Sequence, residues 1–306
     1  MYSLKSKDVI ICILLLFLIN IQFGCGKIEL NNKPPHPNPG LDFHHGWHDS
    51  MIGMILFTQS YYNPAPGYLC VMDIQSTEEV PLPDSLHVNG GIEWSPDGSK
   101  IAFGDQQKGI VVIDNEGTSV ITLVSGLNLR SPSWSPDGSM IAFCSYWGRS
   151  VRVIDAEYGN MYYGYSLGTY TGPLFLDWSP SGQEILAGGG TVFTILDISD
   201  STFIELSDVH AGEAVWSPDG KYIAYSTSPD GIRMNTICTV KKDGSEIIQI
   251  INFDEYNLDF FIQELAWSPD GKMIAVATYY GIYVVDLDGT IVTWIEAENC
   301  NNIDWR

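Results

Sequence analysis

The pentapeptide WSPDG at residues 94–98 decides the fold of this 306-residue chain, because it is repeated along the sequence. Further copies lie at residues 134–138, 216–220 and 267–271, and the variant WSPSG lies at residues 178–182. An apolar triplet, such as IAF at residues 101–103, follows each copy at nearly the same distance. Successive tryptophans are about 40 to 50 residues apart, a period typical of β-propellers and other repeat arrays. The sequence therefore predicts one repeat domain.

Each repeat contains four segments with strand character. The residues before the tryptophan are mostly apolar, the SPDG that follows has turn chemistry, and the apolar triplet lies in a second strand. A third strand, such as GIVVID at residues 109–114, often ends at a glycine turn, and a weaker fourth strand follows, as at residues 120–124. Four antiparallel strands of this kind form one propeller blade.

The two ends of the chain hold complementary parts of a blade. Trp305 stands where a further repeat would begin, whereas residues 54–59, 68–73 and 79–82 supply a second, third and fourth strand without a WSPDG before them. We therefore predict an all-β fold, a six-bladed propeller of four-stranded blades closed by pairing of residues 300–306 with the N-terminal blade. In an alternative register, Trp47 is the first inner tryptophan.

The N-terminal region predicts export and anchoring. Residues 1–24 contain Lys5 and Lys7 before a short apolar run, which is typical of a signal peptide. Gly24 and Cys25 resemble the cleavage site of bacterial lipoproteins, in which the cysteine is acylated, and ordinary cleavage or an uncleaved anchor are the alternatives. Residues 25–46 are proline-rich and predict a tether, and residues 47–306 form the propeller. We expect a membrane-anchored lipoprotein of the bacterial cell envelope, facing the periplasm or the cell surface.

The charge of the chain limits its partners. It has 15 Lys and Arg against 37 Asp and Glu, a formal net charge of −22. Nucleic acid is excluded as a partner, because phosphate binding needs clustered basic side chains. Cations and basic protein surfaces fit this charge better.

Acidic residues recur next to the repeated tryptophans. Glu93, Asp177 and Asp304 stand directly before a tryptophan, and Glu213 and Glu264 stand three residues before one. Five acids from five blades would face or flank the axial channel, where they could bind a divalent cation or a basic side chain of a partner. The alternative is that the carboxylates bond to backbone amides and water in a wet channel. We expect no other cofactor.

The sequence predicts that the binding surface lies on one face of the propeller. We call the face with the SPDG turns the lower face, and the opposite face, which has the loops between second and third strands and between blades, the upper face. Variable loops on a regular scaffold are the usual place for binding. The candidates on the upper face are Tyr61, Tyr62, His87, Arg130, Tyr146, Trp147, Arg149, Tyr170, His210, Tyr279 and Tyr280. Exposed aromatic rings with a polar group suit peptides, protein partners and sugars, whereas rings that cover the cores between blades would have no such role.

The cysteines of the propeller are predicted to be buried thiols. Cys70, Cys144, Cys238 and Cys300 lie in or beside predicted strands at different positions of the repeat. Cys70 and Cys300 could share a blade, but an intervening strand would hold them too far apart for a disulfide.

The sequence WSPDG, followed by IAF and by a strand such as IYVVDLDG at residues 282–289, resembles the repeat of TolB-type propellers. The resemblance covers about residues 50–306 and implies a propeller that acts in the bacterial envelope through protein contacts. We therefore predict a monomeric, non-catalytic binding module for an envelope protein, a peptide or a glycan. The alternative is a carbohydrate-active hydrolase or lyase that uses the channel acids.

Overall fold

A computed structural model describes residues 44–45, 53–59, 68–72, 77–80, 86–145, 150–166, 175–189, 193–206, 211–228, 234–256, 258, 260–297 and 300–306. These residues form β-strands, numbered β1 to β25 along the chain, and one short 3₁₀ turn at Phe253–Tyr256. Among them there is no helix of the length and apolarity that a bilayer crossing requires.

The strands form six sheets, each a blade whose strands run in order from the channel to the rim. The first blade has β25 (Ile303–Trp305), β2 (Ile55–Gln59), β3 (Tyr68–Met72) and β4 (Thr77–Val80). The second has β5 (Val88–Trp94), β6 (Lys100–Asp105), β7 (Gly109–Asp114) and β8 (Val120–Ser125). The third has β9 (Leu129–Trp134), β10 (Met140–Ser145), β11 (Ser150–Asp155) and β12 (Met161–Ser166).

The remaining three blades follow the same order. The fourth has β13 (Phe175–Trp178), β14 (Glu184–Gly188), β15 (Phe193–Asp197) and β16 (Phe203–Leu206). The fifth has β17 (Ala214–Trp216), β18 (Tyr222–Thr227), β19 (Thr236–Lys241) and β20 (Ile248–Asn252). The sixth has β21 (Ile262–Trp267), β22 (Met273–Thr278), β23 (Gly281–Asp286) and β24 (Ile291–Glu296).

The ring closes as the sequence predicts. β25 pairs antiparallel with β2, with Ile55 opposite Trp305. Beside this pair, Met54 N donates to the Arg306 carbonyl at 2.7 Å and Arg306 N donates to the Met54 carbonyl at 3.0 Å. The all-β fold, the six blades and their closure by the C-terminal strand are thus confirmed, and the register in which Trp47 provides the first inner tryptophan is wrong.

The core is divided into six clusters, each between two adjacent blades. Each cluster contains one of the repeated tryptophans, and all of these are buried: Trp94, Trp134, Trp178, Trp216, Trp267 and Trp305. For example, Trp94 packs with Leu56 and Leu69 of the first blade and with Phe103 of its own blade. The tryptophan of WSPDG is therefore scaffold.

The SPDG turn satisfies its own polar groups. In the second blade, Ser95 Oγ donates to Asp97 Oδ1 at 2.7 Å and accepts from Lys100 N at 2.9 Å. Hydrogen bonds from Ser95 and Ser99 lower the pKa of Asp97 to about 2. Gly98 has φ of 68°, in the left-handed region that glycine adopts without strain. The lower face is therefore built mainly to turn the chain.

The proline of each SPDG turn packs against the glycine of the next blade. A Cβ atom placed on Gly138 would lie 3.8 Å from Pro96 Cδ, and the later turns repeat this contact. At the seam, the first blade has no SPDG turn, and the Arg306 side chain fills the equivalent space against Gly98. Its guanidinium carbon lies 4.6 Å from the centre of the Trp94 ring. Arg306 thus takes the place of a proline by a cation–π contact.

Two features differ from the sequence expectation. The short strand β1 (His44–His45), within the segment predicted to be a tether, pairs in parallel with β24 as a fifth strand of the sixth blade. Cys144, Cys238 and Cys300 are buried free thiols, as predicted, but Cys70 is disulfide-bonded and is not a free thiol. The repeat pattern carries no signal for the β1 contact, because β1 lies in a segment that is not repeated.

Candidate functional site

The axial channel is a cavity of about 550 Å³ lined by the inner strands of all six blades. All five acids predicted from the sequence line it: Glu93, Asp177, Glu213, Glu264 and Asp304. Arg130, on β9 of the third blade, also contributes to the lining. The channel is therefore lined mainly by acidic side chains, with the positively charged Arg130 at the start of one inner strand.

Most of these acids connect adjacent blades. Asp304 Oδ2 accepts from Trp94 N at 2.8 Å, and Glu93 Oε2 accepts from Trp134 N at 2.8 Å. Asp177 Oδ2 accepts from Trp216 N at 2.5 Å in the same way. In each case a carboxylate of one blade bonds to the backbone of the next inner strand.

The same link is made with other atoms at the remaining blade junctions. Ser133 Oγ accepts from Trp178 N at 2.9 Å, and Glu264 Oε2 accepts from Ile303 N at 2.7 Å. Between the fifth and sixth blades, Trp267 Nε1 donates to the Val215 carbonyl at 3.3 Å. We call these six contacts the inter-blade links. They run in one direction around the whole ring.

The channel also changes the acidity of its carboxyls. Burial raises the pKa of Asp177 to about 7, of Glu213 to about 8 and of Asp304 to about 6. Burial, together with neighbouring carboxylates, raises the pKa of Glu93 and of Glu264 well above the usual range. Several of these acids, Glu213 among them, therefore hold a proton near neutral pH, because burial disfavours the charged form of a carboxyl.

Glu213 differs from the other four acids. Among the described residues, no group donates a hydrogen bond to its carboxylate, although its backbone N donates to Ser226 Oγ at 3.0 Å. In the described part of the chain, no three His, Cys, Asp or Glu side chains form a group that could hold a metal ion. Glu213 is therefore the channel acid that is most free to meet a ligand.

Irregular backbone shapes the upper mouth of the channel. Gly90 and Gly91 have φ of 99° and 66°, and Ser131 is a non-glycine residue with φ of 49°. A Cβ atom on Gly91 would lie 2.5 Å from Ser131 Cα, so only glycine allows the second and third blades to approach this closely. Gly91 N donates to Asn302 Oδ1 at 2.7 Å, and Asn302 Nδ2 donates to Thr58 Oγ1 at 2.8 Å. Sequence reasoning missed this mouth, although the Gly-Gly pair could have indicated it.

Tyr279 and Tyr280 lie on the upper face, in the turn between β22 and β23, and both are exposed. Their rings lie 5.4 Å apart in an edge-to-face arrangement. Leu127 and Phe261, which precede the inner strands of the third and sixth blades, are also exposed on this face. Sequence reasoning missed these two, because single apolar residues in loops carry no periodic signal.

The other residues that the sequence assigns to the upper face are not exposed there in the way that Tyr279 and Tyr280 are, or they lie outside the described residues. His87 is half-buried in the loop before β5, where its backbone N donates to Asp105 Oδ2 at 2.6 Å. Arg130 lines the channel instead of the outer surface. The remaining candidates lie outside the described residues: Cys25, Tyr61, Tyr62, Tyr146, Trp147, Arg149, Tyr170 and His210.

Fold and site together define a six-bladed β-propeller with an acidic channel. Residues 57–269, more than half of the chain, match the TolB beta propeller domain family, and the chain belongs to that family. A search of curated proteins found no match.

Solved structures show the same fold. TolB from Acinetobacter baumannii is similar with a TM-score of 0.68 and 18% identity, over 83% of this chain and 66% of that one. This chain thus spans slightly less than two thirds of that structure. A putative TolB from Agrobacterium tumefaciens is similar with a TM-score of 0.60 and 17% identity, over 82% and 92% of the two chains. A chain of a nidogen/laminin complex is similar with a TM-score of 0.68 and 8% identity, over 83% and 98%.

Proposed function

We propose that this protein is a non-catalytic binding module of the bacterial cell envelope. It is exported by residues 1–24 and held at a membrane by a lipid on Cys25. Its ligand is an envelope protein, a peptide or a glycan, bound at the upper face. Membership of the TolB beta propeller domain family supports this class of function.

The observation that carries the proposal is that the two faces of the propeller expose different kinds of structure. Tyr279, Tyr280, Phe261 and Leu127 expose large apolar surfaces on the upper face. The lower face repeats one turn whose polar groups are satisfied internally, and its exposed apolar side chains, such as Tyr158, lie in separate turns. Exposed aromatic side chains that are not needed for folding favour binding of a partner.

The channel geometry does not favour the alternative of a hydrolase or lyase. Four of the five acids have a carboxylate oxygen committed to a backbone N–H of the adjacent blade. A general acid and base pair needs carboxyls that are free to contact the substrate. We therefore assign the channel acids mainly to the scaffold, with Glu213 as the one available to a cationic group of the ligand.

A capture experiment tests the binding face. The bait is the purified protein, and the test variant replaces Tyr279, Tyr280 and Phe261 by alanine. The control is Tyr158→Ala, which removes an even more exposed ring from the turn between β11 and β12 on the lower side. We expect a protein or glycan from envelope extract that the control retains and the test variant loses, followed by direct titration of that ligand. Equal capture by both variants would contradict the proposed face.

The anchor is tested separately. Cells fed a radiolabelled fatty acid should label the protein, and Cys25→Ser should abolish the label. Label that persists on the Cys25→Ser variant would contradict lipidation at this residue, without affecting the proposal for the upper face.

A further inference from the structure

The rim of the propeller carries a second surface, at the outer strand of the third blade. β12 has the sequence MYYGYS and pairs on one side with β11. Within the described residues, no strand pairs with its other edge. β12 has no charged side chain and no proline, the features that usually protect an exposed edge from pairing with another chain.

The sixth blade shows what such an edge can hold. There, β1 adds to the outer strand in parallel, with His44 opposite Thr293 and His45 opposite Trp294. Ile291 is 8% exposed and Thr293 is fully buried. The outer edge of a blade in this protein therefore accepts an extended strand.

The third and sixth blades share a feature that the other four lack. In both blades, the pairing between the third strand and the outer strand contains a register shift at the same place. The shift lies just before the aspartate that ends the third strand, at residues 153–154 in β11 and at residues 284–285 in β23. In the second and fifth blades the shift lies two residues earlier, and in the first and fourth the described ladders have no shift. A bulge of this kind sets the local twist of an edge strand.

The shared bulge makes the two edges equivalent residue by residue. Tyr163 lies opposite Val153 as Thr293 lies opposite Val284, and Gly164 follows Tyr163 as Trp294 follows Thr293. Tyr163 is 44% exposed, where Thr293 is fully buried under β1. A Cβ atom on Gly164 would meet no atom of the described residues within 4 Å. Among the described residues, no strand occupies in the third blade the position that β1 holds in the sixth.

Tyrosines surround this position. The rings of Tyr162 and Tyr163 lie 6.3 Å apart, and those of Tyr163 and Tyr165 lie 6.0 Å apart. Tyr165 Oη donates to the Ile198 carbonyl of the fourth blade at 3.3 Å, which fixes one end of the row. Rigid, exposed tyrosines beside an open strand edge are typical of binding surfaces for extended peptides.

We propose that the outer edge of β12, at Tyr163 and Gly164, binds an extended strand of a different protein in the mode in which β24 binds β1. The net charge of −22 opposes pairing with a second copy of this chain. Asp155 and the exposed Glu157 flank the beginning of β12. We expect the partner strand to be rich in β-branched residues, which favour strand pairing, with a basic residue at the end that meets Glu157.

The test uses the full chain and a blocked peptide of alternating valine and threonine, preceded by lysine. We expect the peptide to slow amide hydrogen exchange of residues 161–166 in a saturable way. Tyr163→Lys, which places a charge at the edge, should raise the Kd at least tenfold. The matched control Ile121→Lys, on the outer strand β8 without the shared bulge, should leave the Kd unchanged. A peptide in which glutamate replaces the lysine should bind more weakly.

Three outcomes would overturn the proposal. Equal protection of β8, β12 and β20 would mean that the edges pair without selection. An unchanged Kd for Tyr163→Lys, and for a milder Tyr162→Ser and Tyr163→Ser double variant, would place the peptide elsewhere. Self-association that Tyr163→Lys abolishes would make a second copy the occupant. Replacement of Tyr279 and Tyr280 should leave peptide binding intact, so this test is independent of the upper face.

Discussion

Replacing Trp305 by alanine is the most direct test of the closed ring. Trp305 is buried in the cluster between the sixth and first blades, with Ile55, Phe57 and Ile303. Truncating a buried tryptophan to alanine costs about 3 to 5 kcal/mol. Trp94 occupies the equivalent position in the next blade junction, so Trp94→Ala should cost a similar amount.

The expected loss is large compared with the stability of a domain. Native domains are stable by about 5 to 15 kcal/mol, so Trp305→Ala should remove a substantial fraction. At about 2 °C per kcal/mol for a domain of this size, the melting temperature should fall by about 6 to 10 °C. Deleting residues 301–306 should be worse, since it also removes the acceptor of Trp94 N on Asp304 and the buried Ile303.

Thermal and urea unfolding, followed by circular dichroism and tryptophan fluorescence, provide the measurement. Trp47→Ala is the comparison, because the alternative register assigns to Trp47 the role that the structure gives to Trp305. A Trp305→Ala variant that melts within about 2 °C of the parent protein would refute the closure by the C-terminal strand, since even 1 kcal/mol shifts the midpoint by about that much.

Three further predictions concern the scaffold. The channel acids have raised pKa values in the folded state, so the native protein binds more protons than the unfolded chain between about pH 4 and 8. The free energy of unfolding should therefore fall as the pH rises from about 4 to 8, and Asp177→Asn should flatten this dependence by up to about 1.4 kcal/mol per pH unit; stability that rises steadily from pH 5 to 9 would contradict it. Below pH 4 the sign reverses, because Asp97 and Asp219 have pKa values lowered to about 2 and protonating them removes their hydrogen bonds. Arg306→Ala should cost about 1 kcal/mol through the lost cation–π contact with Trp94, and Arg306→Lys should recover part of it; equal stability of all three proteins would remove this role. Gly138→Ala should cost about 1 to 2 kcal/mol because φ is 71°, whereas Gly164→Ala, with open space around it, should be nearly neutral in urea unfolding; the reverse order would be inconsistent with the turn geometry.

The architecture could be predicted from the sequence because each WSPDG marks the same local structure. A tryptophan, a turn and an apolar strand recur, so the number of blades and the closure at Trp305 follow from spacing alone. The positions of Glu93, Asp177 and Asp304 in the channel follow from the same argument, since each precedes an inner tryptophan.

Contacts that occur only once in the fold could not be predicted from the repeat pattern. Arg306 stacks on Trp94, and β1 pairs with β24, through segments that are far apart in the chain and have no periodic counterpart. The exposure of Phe261 depends on whether other segments cover its loop, and the hydrophobicity of the residue does not indicate this. The sequence allowed backbone amides as partners of the channel acids but did not identify the individual donors, because every residue except proline carries a backbone N–H.

The direction of the inter-blade links has a consequence for how the ring comes apart. Each blade provides an acceptor to the blade after it and a donor to the blade before it, from Asp304 and Trp94 around to Glu264 and Ile303. A blade that detached would break one link to each neighbour and would expose to water the apolar clusters on both of its sides. Partial opening is thereby penalised at two junctions at once. A ring linked in this way should melt in a single cooperative transition, with no stable intermediate of fewer blades.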